Sequence, residues 1–238
     1  DIVLFCLPAF LVEQTLETIK PYLSSKTIIG SVVGNTGFFI FAHKVLADQP
    51  IGLFAFQRVP YISRVVEYGK KASLLGYKDK LLIATEHISN PQEFCNDISM
   101  LFCTPTILLQ SFYEVTLSNS NPILHTGRLY SMWKDWNGEH YKNNSLFYTS
   151  WTDEASDLLI KMDEEFFCLL DKLGVSTEHL PTLLQHYEVH DAKSLTQKIK
   201  SIPAFSNILS PMKQTPNGWL PDFESRYFTE DFPYGLRF

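Results

Sequence analysis

Two periodicities share the chain. In its first third, short unbroken apolar runs alternate with stretches of helical spacing. Residues 2–7 form one such run, which predicts a strand buried on both faces of a parallel sheet, and Pro8 ends it. Val12, Leu16, Ile19 and Leu23 then recur every three or four positions, the spacing of one helix face, with Pro21 stopping or kinking the helix near its end. Residues 27–33 read as a second buried strand, Gly34-Asn35-Thr36-Gly37 as a turn, and 38–46 as a helix. Residues 51–56 and 80–84 read as further strands, so the order predicts a parallel sheet with helical crossovers.

From Asn90 onward the pattern turns helical. In residues 153–173, Leu159, Met162, Phe166, Leu170 and Leu173 make one apolar face; Asp153 and Glu154 load the first turn with negative charge and Gly174 supplies a stop. Residues 180–187 and 194–199 read as shorter helices, and the Pro-, Gly- and aromatic-rich tail 203–238 as an ordered loop packed on a surface. The expected architecture is therefore α/β plus all-α: a sheet domain over residues 1–89 and a helical domain over 90–238. Ligands of open α/β sheets collect at the carboxyl ends of the strands. Here those ends are Leu7-Pro8-Ala9-Phe10, Gly34-Asn35-Thr36-Gly37 and Gln57-Arg58-Val59-Pro60.

Composition narrows the classes. A net charge of −6 over 238 residues argues against a nucleic-acid partner. The longest apolar stretch, 28–42, is broken at 34–37 and is too interrupted for a membrane span. The N-terminus lacks both a basic region and an initiating Met; this argues against a signal peptide and suggests a start inside a longer chain. Cys6, Cys95, Cys103 and Cys168 form no CxxC pair and sit in or beside apolar stretches, which predicts buried, reduced thiols and a cytoplasmic location. Nothing in the sequence asks for a metal.

Candidate chemistry lies in two places. Among seven histidines, His125 has a distinctive setting, NPILHTGRLYSMW: Asn121-Pro122 suits a helix start, which puts His125 in the first turns, near the positive end. Near the C-terminus, PDFESRYFTEDFPYGL embeds Asp222, Glu224, Arg226, Glu230 and Asp231 among aromatics. Charges in such surroundings need partners. A salt-bridged loop that ties down the C-terminus would satisfy them. So would an arginine aimed at a carboxylate, which its fork binds bidentately, together with an acid aimed at a histidine.

These two stretches, with SLFYTSW between them and LPAF and FQRVPYISRV before them, resemble the octopine/nopaline (opine) dehydrogenase family. The resemblance runs through essentially the whole chain, and RYFTEDxPYG is its most specific string. It implies a partial Rossmann-like dinucleotide-binding domain followed by a helical substrate domain like the C-terminal domain of 6-phosphogluconate dehydrogenase. It implies an NAD(P)-dependent oxidoreductase that condenses an amino acid with a 2-oxo acid and reduces the resulting imine with NADH or NADPH. By motif match, His125 resembles the catalytic histidine, Asp231 its acidic partner and Arg226 the arginine on the oxo-acid carboxylate. Leu7, Pro8, Ala9 and Phe10 would border the cofactor. Asn35 stands where some members place a substrate-facing glutamine, Arg58 where some have threonine, and His186 near a tryptophan of an arginine-using member. The last difference argues against arginine as the amine. The expected partners are these small molecules, with no nucleic acid or membrane, and the resemblance leaves room for a homodimer.

The chain also departs from the family. No GxGxxG follows a first strand, and no acidic residue closes a second strand to read the ribose, so the pyrophosphate cradle is missing. The resemblance places residue 1 at the fourth strand of the usual fold. Two alternatives stay open: a 2-oxo-acid reductase of the same superfamily, and a non-catalytic remnant that binds a carboxylate ligand or a partner.

Overall fold

The computed structural model describes residues 1–34 and 37–237. The chain forms two compact units, Asp1–Asn119 and Ser120–Phe238. Among the described residues no helix is long and apolar enough to cross a membrane.

In the first unit the elements run β1 (Ile2–Phe5), α1 (Ala9–Ile19), β2 (Ile28–Ser31), α2 (Phe38–Val45), β3 (Gly52–Phe56), β4 (Tyr61–Glu67), β5 (Lys71–Tyr77), β6 (Leu81–Glu86), α3 (Pro91–Phe102), β7 (Thr106–Leu108) and α4 (Tyr113–Thr116). Pro21 does end α1, converting its last turn to a 3-10 turn at Lys20–Tyr22. The main sheet has the order β1-β2-β3-β6-β7. β1, β2 and β3 are parallel, as the alternating pattern predicts. β6 is antiparallel to β3, so the sheet is mixed. A parallel return needs a crossover, usually helical. Here the chain between β3 and β6 is instead the antiparallel β4–β5 ribbon, which brings it back at the end of the sheet it left. β7 then pairs parallel to β6 after α3.

Packing follows strand position. β3 is buried along its whole length, and Phe54 and Phe56 join Leu81, Ile83, Phe94, Cys95 and Ile98 in one core. Gly30 on β2 is required there, because a Cβ would lie 2.2 Å from the Phe54 ring. β1 departs from the expected two-sided burial: it is an edge strand of the described sheet, with Ile2 and Leu4 exposed. The cysteines also depart from expectation. All four are free thiols, but only Cys95 is buried; Cys6, Cys103 and Cys168 are exposed. Position in an apolar stretch does not decide which way a side chain of an edge strand or amphipathic helix points.

The second unit contains α5 (Asn121–Trp133), α6 (Asp153–Lys172), α7 (Leu183–Tyr187), α8 (Ala192–Ser201), the ribbon β8 (Met212–Thr215) and β9 (Gly218–Pro221), α9 (Arg226–Thr229) and one turn of π-helix at Phe232–Leu236. Thr152 caps α6 by accepting from the Ala155 amide, and Gly174 beyond its end has φ +64°, the left-handed conformation glycine adopts without strain. Leu159 and Leu170 are fully buried and Met162 and Phe166 half-buried, as the helix-face reading predicts, but Leu173 is exposed. The core gathers Leu124, Leu129, Phe147, Trp151, Leu159 and Leu195. The tail is more regular than the expected loop, since it holds β8, β9 and α9. The break between units falls at Asn119/Ser120, later than the expected boundary after residue 89, because α3 packs on the sheet and β7 extends it.

Candidate active site

In the first unit, the parallel course of β1, β2 and β3 sets residues 7–10, Gly34 and residues 57–60 along one edge of the sheet. Leu7 and Pro8 lead from β1 into α1; Ala9 is buried and Phe10 exposed. Pro8 occupies the N-cap position and makes no side-chain cap. Arg58 is exposed just beyond β3, beside a buried Gln57 whose amide donates to the Glu114 carbonyl at 2.9 Å. Asn35 lies outside the described residues.

In the second unit, Asn121 and Pro122 open α5 as expected, and His125 falls in its second turn. The His125 Nδ1 lies 2.7 Å from Asp231 Oδ2, with the two side chains only 14% and 13% exposed. A carboxylate can only accept, so Nδ1 carries the proton and the neutral ring presents a lone pair at Nε2. That lone pair is met by the Tyr148 hydroxyl at 2.9 Å. Tyr227 packs edge-on to the imidazole, with ring centroids 4.6 Å apart, and its phenol interacts with that of Tyr148. Burial pushes both phenols above their ordinary range, with the Asp231 charge adding to the effect.

Asp231 is far from His125 in sequence, and packing brings it back. Phe228 stacks between Trp133 of α5, at 6.0 Å, and Phe232, at 5.8 Å. Gly235 sits on Pro122 so closely that a Cβ would lie 2.4 Å from the proline Cγ. The Pro at the helix start and the Gly of PYG are thus one contact, which seats the segment carrying Asp231 against α5. Arg128, one turn after His125, is 4% exposed. Its guanidinium donates to the Phe147 carbonyl at 3.2 Å and the Ser150 carbonyl at 2.8 Å, and lies over the Trp151 ring. Burial pushes its pKa down to about 10. It clamps the turn that presents Tyr148.

Of the sequence-derived candidates in this unit, His125 and Asp231 are in direct contact. Arg226 lies on α9 with its side chain 73% exposed and its guanidinium engaged by Glu230, Nε donating to Oε2 at 2.6 Å. His186 is exposed on α7, edge-on to Tyr187. Tyr148, Tyr227 and Arg128 were not among the expected site residues, although all three fall inside the motif strings. A cavity of about 510 Å³ also flanks α5, walled largely by Leu129, Trp133, Met162, Phe223, Phe228 and Phe232. Such apolar walls do not suit a dicarboxylate.

A Rossmann-like mixed sheet unit followed by a helical unit with a buried histidine–carboxylate pair defines the class. Residues 108–238 match the family described as NAD/NADP octopine/nopaline dehydrogenase, alpha-helical domain, and the chain belongs to that family. It is 27% identical to an opine dehydrogenase of Haliotis discus hannai, over 99% of this chain and 62% of that protein. It is 26% identical to a tauropine dehydrogenase of Arabella iricolor, over 99% of this chain and 64% of that protein. Its fold superposes with a TM-score of 0.81 on an octopine dehydrogenase solved with NADH and L-arginine, at 24% identity, covering 99% of this chain and 62% of the other. The chain thus spans less than two thirds of the length of these relatives.

Proposed function

We propose that the protein works as an opine dehydrogenase, joining the amine of an amino acid to a 2-oxo acid and reducing the resulting imine at the expense of NADH or NADPH. The observation that carries this reading is the His125–Asp231 contact, formed in a protected setting inside the region that matches the family. Relatives bearing opine, octopine and tauropine dehydrogenase names support the substrate class.

Asp231 holds the imidazole by Nδ1 and favours its protonated form. Nε2 is the nitrogen free to exchange its hydroxyl partner for substrate, and from it a proton can pass to the oxygen or nitrogen that becomes electron-rich during reduction. The Arg226 fork faces solvent on α9 with a carboxylate already seated on it. A substrate carboxylate would displace Glu230 and bind bidentately. The Leu7-Pro8-Ala9-Phe10 edge, with its uncapped helix start, fits the side of a dinucleotide nearest the chemistry. The glycine cradle for its phosphates is not among these residues. When bound, the dinucleotide supplies the hydride. Arg58 and His186, both exposed, and Asn35 remain candidate substrate contacts. Four free thiols suit a reducing cytoplasm.

The test is NAD(P)H oxidation with pyruvate, alone and with individual amino acids. Oxidation that requires the amine supports the proposal. Oxidation by pyruvate alone would make the protein a simple 2-oxo-acid reductase, and absence of NAD(P)H binding would make this chain a non-catalytic one.

A further inference from the structure

Both ring nitrogens of His125 are occupied within its own unit, one by a carboxylate and the other by a tyrosine hydroxyl. The second contact is built with care. Tyr148 is 4% exposed, stacked on Phe205 at 4.1 Å and on Trp151 at 6.0 Å, and edge-on to Phe147 at 4.9 Å. The carbonyls of Phe147 and Ser150, on either side of it, are pinned by the buried Arg128 guanidinium. A ring held on so many sides points its hydroxyl with little freedom. Ordinary core packing would not require the hydroxyl at all, since phenylalanine would fill the same space.

What the hydroxyl adds is reversibility. When the imidazole is neutral, Nε2 is an acceptor and Tyr148 donates to it, leaving the phenol oxygen to accept from Tyr227. When the imidazole is protonated, Nε2–H is a donor; the Tyr148 oxygen accepts it, and its own proton turns toward Tyr227. Only hydroxyl hydrogens rotate. A carboxylate at this position would satisfy the charged ring alone, an ammonium the neutral ring alone, and an apolar side chain neither. A buried nitrogen left without a partner is costly, and more so when it bears charge. We propose that Tyr148, backed by Tyr227, is a positioning residue that holds the His125 ring through Nε2 in either protonation state before and after substrate takes that nitrogen, and so keeps a largely buried imidazole able to cycle as an acid–base group. This rests on the dehydrogenase reading for its catalytic consequence, while the contact itself can be tested without turnover.

The experiment is nitrogen NMR of protein labelled at histidine, in the wild type and in Tyr148→Phe, together with steady-state kinetics. Circular dichroism of the variant checks the fold, which loses only one oxygen. The His125 Nε2 resonance of the neutral ring is expected to move toward its non-hydrogen-bonded position in Tyr148→Phe, while the Nδ1 proton shared with Asp231 persists. Turnover is expected to fall about tenfold or more, as for a lost buried hydrogen bond, with oxo-acid KM nearly unchanged. Tyr227→Phe, which removes only the backing partner, should move both readouts in the same direction by less. An unmoved Nε2 resonance would overturn the proposal, as would wild-type kcat in a Tyr148→Phe protein whose resonance has moved. If the wild type itself shows no NAD(P)H-dependent turnover, the dehydrogenase reading fails, and the resonance alone decides whether Tyr148 holds the ring.

Discussion

Replacing Asp231 by Asn tests the centre of the proposed site with the smallest change in shape. The carboxylate lies 2.7 Å from His125 Nδ1, and both side chains are almost wholly out of solvent. Screening by water and salt is therefore weak, and the contact is a charge-assisted hydrogen bond. Such bonds contribute about 1.5–3 kcal/mol, roughly twice the neutral kind. An asparagine oxygen can still accept from Nδ1–H but carries no charge, so it holds the neutral ring far better than the imidazolium. If its amide turns the NH2 group to the ring instead, Nδ1 becomes an acceptor and the tautomer reverses, which puts the proton on Nε2 against Tyr148. Either outcome disfavours the state that donates a proton during reduction.

Converted at about 1.4 kcal/mol per decade, the loss is roughly 10- to 150-fold in kcat. The assay is initial-rate NAD(P)H oxidation at saturating oxo acid and amine, paired with a thermal melt. The melt should change little, because the substitution removes a mostly buried charge along with its favourable contact. A kcat within about twofold of wild type would fall far outside the range expected for a charge-assisted bond and refute the assignment of His125 and Asp231 as the acid–base pair. A large kcat loss accompanied by an equally large drop in melting temperature would instead make the pair a structural tie.

Three other substitutions probe the surroundings. Arg226→Ala should raise the oxo-acid KM by about 10- to 100-fold, the worth of a bidentate charged contact, and change kcat less. Glu230→Gln frees the same guanidinium from an exposed ion pair worth about 0.2–1 kcal/mol, so it should lower that KM by a factor of about 1.5 to 5. Gly235→Ala puts a methyl into Pro122 and should depress kcat by displacing Asp231, visible as loss of the shared low-field Nδ1 proton signal. Asp163 is buried on α6 and accepts from the Leu183 amide; burial raises its pKa. A carboxyl with a raised folded-state pKa contributes its stability in acid and loses it as pH climbs through that value. Asp163→Asn should therefore match or exceed the wild-type melting temperature at neutral pH, with the gap closing in acid; a variant that melts lower at neutral pH would contradict this.

The fold was legible where local pattern and tertiary role agree. The β–α–β–α–β opening and the long α6 follow from apolar spacing, because each buries one face in the way its period dictates. The reading failed where pairing is decided at a distance. Nothing in residues 80–84 marks a strand as antiparallel, and the β4–β5 ribbon that reverses it carries its apolar residues outward, with Val65 70% and Tyr68 93% exposed. A pattern that looks for a buried face does not register such a ribbon. β7 was missed because it is only three residues long, and its absence moved the expected boundary.

The site divides along the same line. His125 stood out by its place at a helix start and the 222–231 charges by their aromatic company, but the pairing of His125 with Asp231 came only from the family resemblance. Tyr148 and Arg128 did not stand out, since a tyrosine among apolar residues reads as core and an arginine on a helix reads as surface. The structure inverts the second reading and adds to the first: the arginine is 4% exposed, and the core tyrosine's hydroxyl meets the imidazole. Arg128 has its role only because α5 turns it toward carbonyls 19 and 22 residues further on, and Tyr148 has its role only because that turn is fixed. His125, the carboxylate behind it and the hydroxyl in front of it come from three segments joined by Gly235 on Pro122 and Arg128 on the 147–150 turn. The proposed chemistry therefore depends on two packing contacts that carry no reactive group, which is why motif strings enclosed every member of the proposed site while naming only some of them.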